Sequence, residues 1–124
     1  MKIKQTVIIN TLAIFIISLA LASCAQVKPA KEAAVWIDVR TPREYERGHV
    51  ESAVNIPYQD IGNRITEVTN DKNQKIIVYC ASGHRAGIAR ETLLKLGYTD
   101  VTNAGGYRDI IAHAKQGDEA KAKK

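Results

Sequence analysis

The chain has 124 residues and a mass of 13.6 kDa, which limits it to one domain of modest size. Eighteen Lys and Arg residues against thirteen Asp and Glu residues give a formal net charge of +5, and 45% of the residues are hydrophobic. This composition excludes a disordered, collagen-like or low-complexity chain. The two cysteines exclude a disulfide-rich scaffold and a four-cysteine zinc site.

The excess positive charge lies at the ends of the chain. Between Val35 and Ala114, ten Lys and Arg residues balance ten Asp and Glu residues. A nucleic-acid-binding domain usually carries a basic face of its own, so we expect no nucleic-acid partner.

Residues 1–23 have the features of an export signal. Lys2 and Lys4 precede an apolar run over residues 7–22, and small residues follow it. The end of the run, Leu21-Ala22-Ser23-Cys24, resembles the lipobox of bacterial lipoproteins, which is cleaved before the cysteine. The resemblance implies an exported, periplasmic protein anchored to the membrane through a lipid on Cys24. In a Gram-negative cell, Ala25 would favour the outer membrane.

Two other interpretations of this segment stay open. The sequence Ser23-Cys24-Ala25 also fits an ordinary cleavage site after Ala25, which would release a soluble protein. Alternatively the apolar run stays uncleaved as an anchor, although sixteen residues are few for a membrane span. All three interpretations export the domain. After the signal we expect a tether over residues 24–34, a folded domain over 35–114 and a solvated tail over 115–124.

The folded domain alternates predicted strands and helices with short links. In chain order these are a strand at 35–39, a helix from Thr41 to Gly48, a strand at 53–56, a helix with an apolar stripe at Ile61, Ile65 and Val68, a strand at 75–79, a helix with a stripe at Ala86, Ala89, Leu93 and Leu96, a strand at 100–103 and a helix at 107–114. This alternation predicts an α/β fold with a small, mostly parallel sheet covered by helices on both faces.

One loop between a strand and a helix carries the candidate chemistry. Residues 79–86 read Tyr-Cys-Ala-Ser-Gly-His-Arg-Ala, so Cys80 ends a buried strand and a helix begins about six residues later. Small residues and Gly83 let the loop curl, so that its N–H groups could point at one centre and hold an anion. Such a position lowers the pKa of a thiol and makes Cys80 a nucleophile. The alternative is a buried structural thiol, which the small-residue loop, Arg85 and the helix start disfavour.

The sequence Cys80-x-x-Gly83-x-Arg85-Ala86 resembles the active-site loop of the rhodanese family of sulfurtransferases. The resemblance covers about residues 35–111 and continues through Asp38-Val39-Arg40, Glu44-Tyr45, Gly48-His49-Val50, Ala53-Val54-Asn55-Ile56-Pro57, Gly97-Tyr98 and Gly105-Gly106. Within the family, the chain is most similar to small exported thiosulfate sulfurtransferases of the phage shock protein E type. The resemblance therefore implies a three-layer rhodanese-like fold with a sheet of four or five strands.

The resemblance also implies a two-step sulfur transfer. The Cys80 thiolate takes the outer sulfur of thiosulfate or another sulfane donor, sulfite leaves, and the persulfide passes its sulfur to cyanide or a thiol. In this scheme amides of Ala81 to Arg85 cradle the persulfide, Arg85 braces the loop, and Ser82 and His84 line its mouth. A second hypothesis is a persulfide carrier that delivers sulfur to a partner protein and turns over slowly alone.

Two further alternatives are disfavoured. A cysteine phosphatase or arsenate reductase needs a Cys-x5-Arg loop around a tetrahedral group, whereas Cys80 and Arg85 form Cys-x4-Arg. A non-catalytic binding module is disfavoured because Cys80 is present. We expect no cofactor and no metal site, since His49, His84 and His113 lie far apart and form no ligand pair. The sequence does not indicate an oligomeric state.

Asp38, Arg40 and Glu44 are candidate supporting residues, because the first strand ends at the same sheet edge as Cys80. We expect a structural bracket in which Asp38 accepts backbone hydrogen bonds and Arg40 pairs with Glu44. The chain also departs from the family. Longer members have a strand and a helix before the first strand here, Ser52 replaces a common glycine, and Tyr107 replaces a more usual residue.

Overall fold

The computed structural model describes residues 33–122, with side chains described for residues 33–116. The predicted signal, the lipidation residue Cys24 and most of the predicted tether therefore lie outside the described residues. Four strands form one parallel sheet in the order β2-β1-β3-β4: β1 (Val35–Asp38), β2 (Val54–Asn55), β3 (Ile76–Cys80) and β4 (Val101–Gly106). The predicted α/β class with a small parallel sheet is confirmed.

Four helices connect and flank these strands: α1 (Pro42–Glu46), α2 (Ile61–Arg64, continued by a 3-10 turn at Ile65–Glu67), α3 (His84–Lys95) and α4 (Tyr107–Ala122). Thr41 caps α1, because its hydroxyl accepts from the Glu44 amide while the Glu44 carboxylate accepts from the Thr41 amide. Thr41 and Glu44 therefore form a capping box. No helix in residues 33–122 has the length and apolarity that a membrane crossing requires.

The two faces of the sheet bury different kinds of side chain, because successive residues of a strand point to opposite faces. On one face, aliphatic residues of β1 and β3 pack with those of α2 and α3; this core includes Ile37, Ile61, Val78, Ala89 and Leu93. On the other face, Tyr79 lies edge-on to Trp36 and stacks on Tyr107 at the start of α4. Cys80 belongs to the aliphatic core.

Several element boundaries differ from the predicted ones. β4 continues to Gly106 instead of ending at 103, and α3 begins at His84, four residues after Cys80 instead of six. α4 continues past Ala114 to Ala122, into the predicted tail. Its last turns lack an apolar face, but they contain alanine, lysine and glutamate, which favour a helix through backbone propensity alone. Periodicity of apolar residues could not reveal that extension.

Candidate active site

Cys80 lies at the carboxyl end of β3, where the chain turns through three residues into α3. Its side chain has no exposed surface. Gly83 adopts a left-handed φ of 94°, which other residues rarely adopt, and this turn aims the Gly83 amide at the sulfur over 3.0 Å. The loop is therefore closed around the sulfur atom by its own main chain.

Two opposing effects act on the pKa of the Cys80 thiol. Burial raises the pKa, because it disfavours the charged thiolate. Hydrogen bonding from the amides of Ala86, Ser82, Gly83 and Arg85 lowers the pKa, and together these contributions outweigh burial. The net pKa lies below that of an ordinary cysteine, so the loop favours the nucleophilic thiolate.

The predicted loop residues differ in what they contribute to the site. Ser82, Gly83 and Arg85 supply amides to the sulfur, and Ala86, which the sequence analysis did not include in the cradle, supplies a fourth. Ser82 and His84 are exposed beside the loop. The early start of α3 explains the role of Ala86, because the first N–H groups of a helix have no intrahelical partner and are available to a neighbouring anion.

Arg85 is fixed by Glu44 across the gap between α3 and α1. Two guanidinium nitrogens of Arg85 donate to the two carboxylate oxygens of Glu44, each at 2.8 Å. These bonds raise the pKa of Arg85 and lower the pKa of Glu44 to about 2. The pair joins the first turn of the loop helix to the capping box of α1 and keeps a cation next to Cys80.

The expected pairing of Arg40 with Glu44 is wrong, because Arg40 pairs with Asp38. Its Nε donates to both carboxylate oxygens of Asp38, at 2.9 and 3.0 Å, and Nη2 donates to Asp38 and to the Gly48 carbonyl. Asp38 also accepts from the Arg40 amide, as expected. Because Asp38 is buried, its charge must be compensated, and Arg40, two residues further along the chain, provides the cation. Glu44 pairs with Arg85 instead.

Aromatic rings surround this buried ion pair. The Arg40 guanidinium lies 4.5 Å from the ring centroid of Tyr107 and 5.7 Å from that of Tyr79. The hydrogen bond with Asp38 raises the pKa of Arg40, and burial raises the pKa of Tyr79. Tyr107, which departs from the residue usual in the family, therefore covers Arg40 at this edge of the sheet.

The end of β4 supports the loop from behind. Asn103 donates from its side chain to the Gly83 carbonyl at 2.9 Å and accepts from the Gly105 amide at 2.9 Å. A Cβ on Gly106 would lie 2.8 Å from the Ala81 carbonyl oxygen. Asn103 could be recognised only from the structure, because its partner is twenty residues away in sequence.

A pocket of about 290 Å³ opens beside the loop. Its lining combines charged side chains with one aromatic ring: Arg40, Glu44, Arg47, Gly48, Ala81, Tyr107 and Arg108. Three of these residues are cationic and one is anionic, so the pocket favours anions. No group of three or more His, Cys, Asp or Glu side chains suited to a metal occurs in the described part of the chain.

This arrangement combines a buried thiol of lowered pKa with an adjacent cationic pocket. The family model described as the rhodanese-like domain matches residues 22–113. The chain belongs to the rhodanese-like family. The resemblance that the loop motif suggested is thereby confirmed.

Characterised and solved relatives of this rhodanese agree with the family assignment. The chain is 46% identical over 82 residues to "Thiosulfate sulfurtransferase PspE" of Escherichia coli, covering 66% of this chain and 79% of the relative. It is 35% identical to a "Sulfurtransferase" of Allochromatium vinosum, covering 69% and 77%. A solved "rhodanese with anions from E. coli" is 47% identical and superimposes with a TM-score of 0.60, covering 62% and 91%. These comparisons support sulfur transfer as the general activity of the chain.

Proposed function

We propose that this rhodanese is a thiosulfate sulfurtransferase in which Cys80 carries the transferred sulfur as a persulfide. The observation that carries the proposal is a fully buried sulfur that accepts from the Gly83 amide at 3.0 Å, at the start of a helix whose first amides lower the pKa of the thiol. This arrangement stabilises an anion at that position whether the anion is the thiolate or the terminal sulfur of a persulfide.

In the first step, the Cys80 thiolate attacks the outer sulfur of thiosulfate. A new S–S bond forms to Cys80, the bond between the two sulfurs of thiosulfate breaks, and sulfite leaves with the electron pair. The cationic pocket favours approach of the dianion, since opposite charge raises its local concentration. A related rhodanese from E. coli was solved with anions, which supports anion binding by this protein as well.

In the second step, cyanide or a thiolate attacks the outer sulfur of the persulfide. A bond from the acceptor to that sulfur forms, the S–S bond to Cys80 breaks, and the Cys80 thiolate is regenerated as the leaving group. Its low pKa makes it a good leaving group in this step. The reaction needs no oxidant, reductant or cofactor beyond donor and acceptor.

The hydrogen bonds of the loop support a sulfur atom, rather than a phosphoryl group, as the group that is transferred. The Gly83 amide donates to Sγ itself, and the Arg85 side chain donates to Glu44 with two of its nitrogens. An arginine that clamps a phosphoryl group offers that same bidentate fork to phosphate oxygens. Because Arg85 is already held by a carboxylate, we do not propose phosphatase activity.

The test uses the full chain with two matched cysteine substitutions. Thiosulfate and cyanide are mixed with each protein and thiocyanate is measured, while mass spectrometry detects an added sulfur on the protein. We expect turnover and one added sulfur in Cys24→Ser, which keeps only Cys80. In Cys80→Ser we expect neither, because the nucleophile is gone.

The same experiment separates the persulfide carrier from the enzyme. One added sulfur per chain without thiocyanate turnover would replace the enzyme with a carrier that needs a protein acceptor. Sulfur transfer that persists in Cys80→Ser, or robust hydrolysis of a phosphate ester by the wild type, would contradict the proposal altogether.

We further propose that the chain is exported and anchored through a lipid on Cys24, as the lipobox resemblance implies. The sequence Leu21-Ala22-Ser23-Cys24 carries this proposal. In a bacterial host fed labelled palmitate, the wild type should carry label in the membrane fraction and Cys24→Ser should carry none. Equal labelling of Cys24→Ser and Cys80→Ser, or no labelling of the wild type, would contradict it.

A further inference from the structure

The cations that line the pocket differ in whether a carboxylate already engages them. Arg40 is paired with Asp38, and the pocket residue Glu44 is paired with Arg85. Arg47 and Arg108 are exposed and form no ion pair with any side chain of residues 33–116. The pocket therefore offers two guanidinium groups that can bind an anionic ligand.

Arg47 and Arg108 lie far apart in the sequence, but both line this pocket. Arg47 is the C-cap residue that directly follows α1, and Arg108 lies in the first turn of α4. The positive end of the α4 dipole adds to the potential there. Ala81, the residue after the nucleophile, lies in the same lining, so a molecule held by these arginines is next to the persulfide loop.

The size of the pocket exceeds what thiosulfate requires. Thiosulfate has only five heavy atoms, far fewer than the small organic ligands that pockets of about this size bind. The pocket volume of about 290 Å³ lies near the lower end of the range of about 300–1,000 Å³ for pockets that bind small organic ligands. A molecule with a carbon skeleton between its reactive and charged ends fits this space better than a small inorganic ion.

We infer that Arg47 and Arg108 bind the carboxylate of the sulfur acceptor, and that the acceptor is a small thiol carrying a carboxylate group. This inference rests on the proposed function, since it concerns the second step at Cys80. The carboxylate lies against the two guanidinium groups and the thiolate reaches the outer sulfur of the persulfide. An S–S bond to the acceptor forms, the S–S bond to Cys80 breaks, and the acceptor leaves as a persulfide.

The test isolates the second step from the first. The full chain is loaded with thiosulfate, freed of excess donor, and mixed in single-turnover experiments with 3-mercaptopropionate or with the neutral 2-mercaptoethanol. Each rate constant is divided by the thiolate fraction of its acceptor at the working pH. We expect the wild type to prefer 3-mercaptopropionate by about tenfold, the effect of one good charged hydrogen bond.

The double variant Arg47→Gln/Arg108→Gln should lose most of that preference. Arg43→Gln is the matched control, because Arg43 is also an exposed arginine of α1 but does not line the pocket. It should retain the preference. Added salt should reduce the preference in the wild type, since exposed charges are screened.

Three results would overturn the inference. These are equal rates for the two thiols in the wild type, an unchanged preference in the double variant, and an equal loss of preference in Arg43→Gln. A wild type that takes up no sulfur from thiosulfate would instead refute the proposed function, because the loading step precedes the comparison of acceptors. The two failures are therefore distinguishable by mass spectrometry of the loaded protein.

Discussion

Two buried anionic positions lie at the same edge of the sheet, and the protein stabilises them in different ways. Asp38, at the end of β1, is neutralised by a full charge, because the Arg40 guanidinium donates three hydrogen bonds to its carboxylate. Cys80, at the end of the neighbouring β3, is surrounded by four main-chain amides. Its neighbouring cation, Arg85, is shared with Glu44.

The difference separates a structural charge from a reactive one. A carboxylate held by a guanidinium in a buried pair has its lone pairs occupied and is chemically inert. A sulfur held by peptide dipoles keeps a low pKa and can still attack, accept a second sulfur and leave again. Four experiments test this contrast, from the largest expected effect to the smallest.

Removing the cation from the buried pair should cost the most stability. Arg40→Met leaves the Asp38 carboxylate buried without its partner, and we expect a loss of about 3–5 kcal/mol in the free energy of unfolding. Thermal and urea unfolding measure the change. In Asp38→Asn/Arg40→Met neither charge is left alone, so much of the loss should be recovered. If the free energy of unfolding of Arg40→Met stayed within about 1 kcal/mol of the wild-type value, the pair would be dispensable.

The loop around Cys80 should instead respond to a change in main-chain geometry. Gly83 and Gly97 have nearly the same left-handed φ, 94° and 92°, but an added Cβ at Gly83 would meet Gly105 at 3.3 Å and one at Gly97 would meet nothing within 4 Å. Both alanine variants should lose about 1–2 kcal/mol of stability from backbone strain.

Only Gly83→Ala should affect the sulfur. We expect it to raise the pKa of Cys80 and to reduce sulfur transfer about tenfold or more, because one amide no longer points at Sγ. The pH dependence of thiol alkylation, measured in the Cys24→Ser background, reports the pKa. An equal loss of activity in Gly97→Ala would mean that stability alone explains the effect.

Asn103 should show a smaller effect of the same kind. Asn103→Ala removes the side-chain bond to the Gly83 carbonyl, which also accepts from the Gly87 amide within α3. We expect a loss of about 1 kcal/mol and a several-fold reduction in sulfur transfer, with a raised Cys80 pKa. Asn63→Ala, at an exposed residue of α2, is the control. A wild-type Cys80 pKa in Asn103→Ala would remove Asn103 from the support of the loop.

The Arg85–Glu44 pair should give the smallest effect, and one that depends on pH. The folded protein holds the pKa of Glu44 at about 2, below the ordinary value of 4.5. The pair therefore contributes its full stability above about pH 4.5 and loses it as the pH falls through about 2. We expect Glu44→Gln to lose about 1 kcal/mol at pH 7, since the pair is partly exposed.

The difference between wild type and Glu44→Gln should shrink toward zero as the solution is acidified to about pH 2. Glu67→Gln removes the carboxylate of the exposed Arg64–Glu67 pair and should change stability less. A stability difference at Glu44 that grows on acidification would contradict the assigned direction of the pKa shift.

The elements with a strong local pattern were predictable from the sequence. The apolar run at 75–79 and the stripe through Ala86, Ala89 and Leu93 predict β3 and α3, and the structure contains both. Boundaries that depend on tertiary contacts were not predicted. β4 runs on through Gly105 and Gly106 because these residues lie against the Cys80 loop, and no periodicity marks that contact.

The sequence by itself determined the parallel α/β fold, the family and the position of the loop, because these follow from periodicity and from residues close together in the chain. The tertiary structure alone decided which charges pair. The sequence predicts a pair between Arg40 and Glu44, four residues away, but burial of Asp38 requires compensation from Arg40, and Glu44 binds Arg85, forty-one residues away. A carboxylate pairs with the cation that folding brings to it, and sequence distance does not encode that choice.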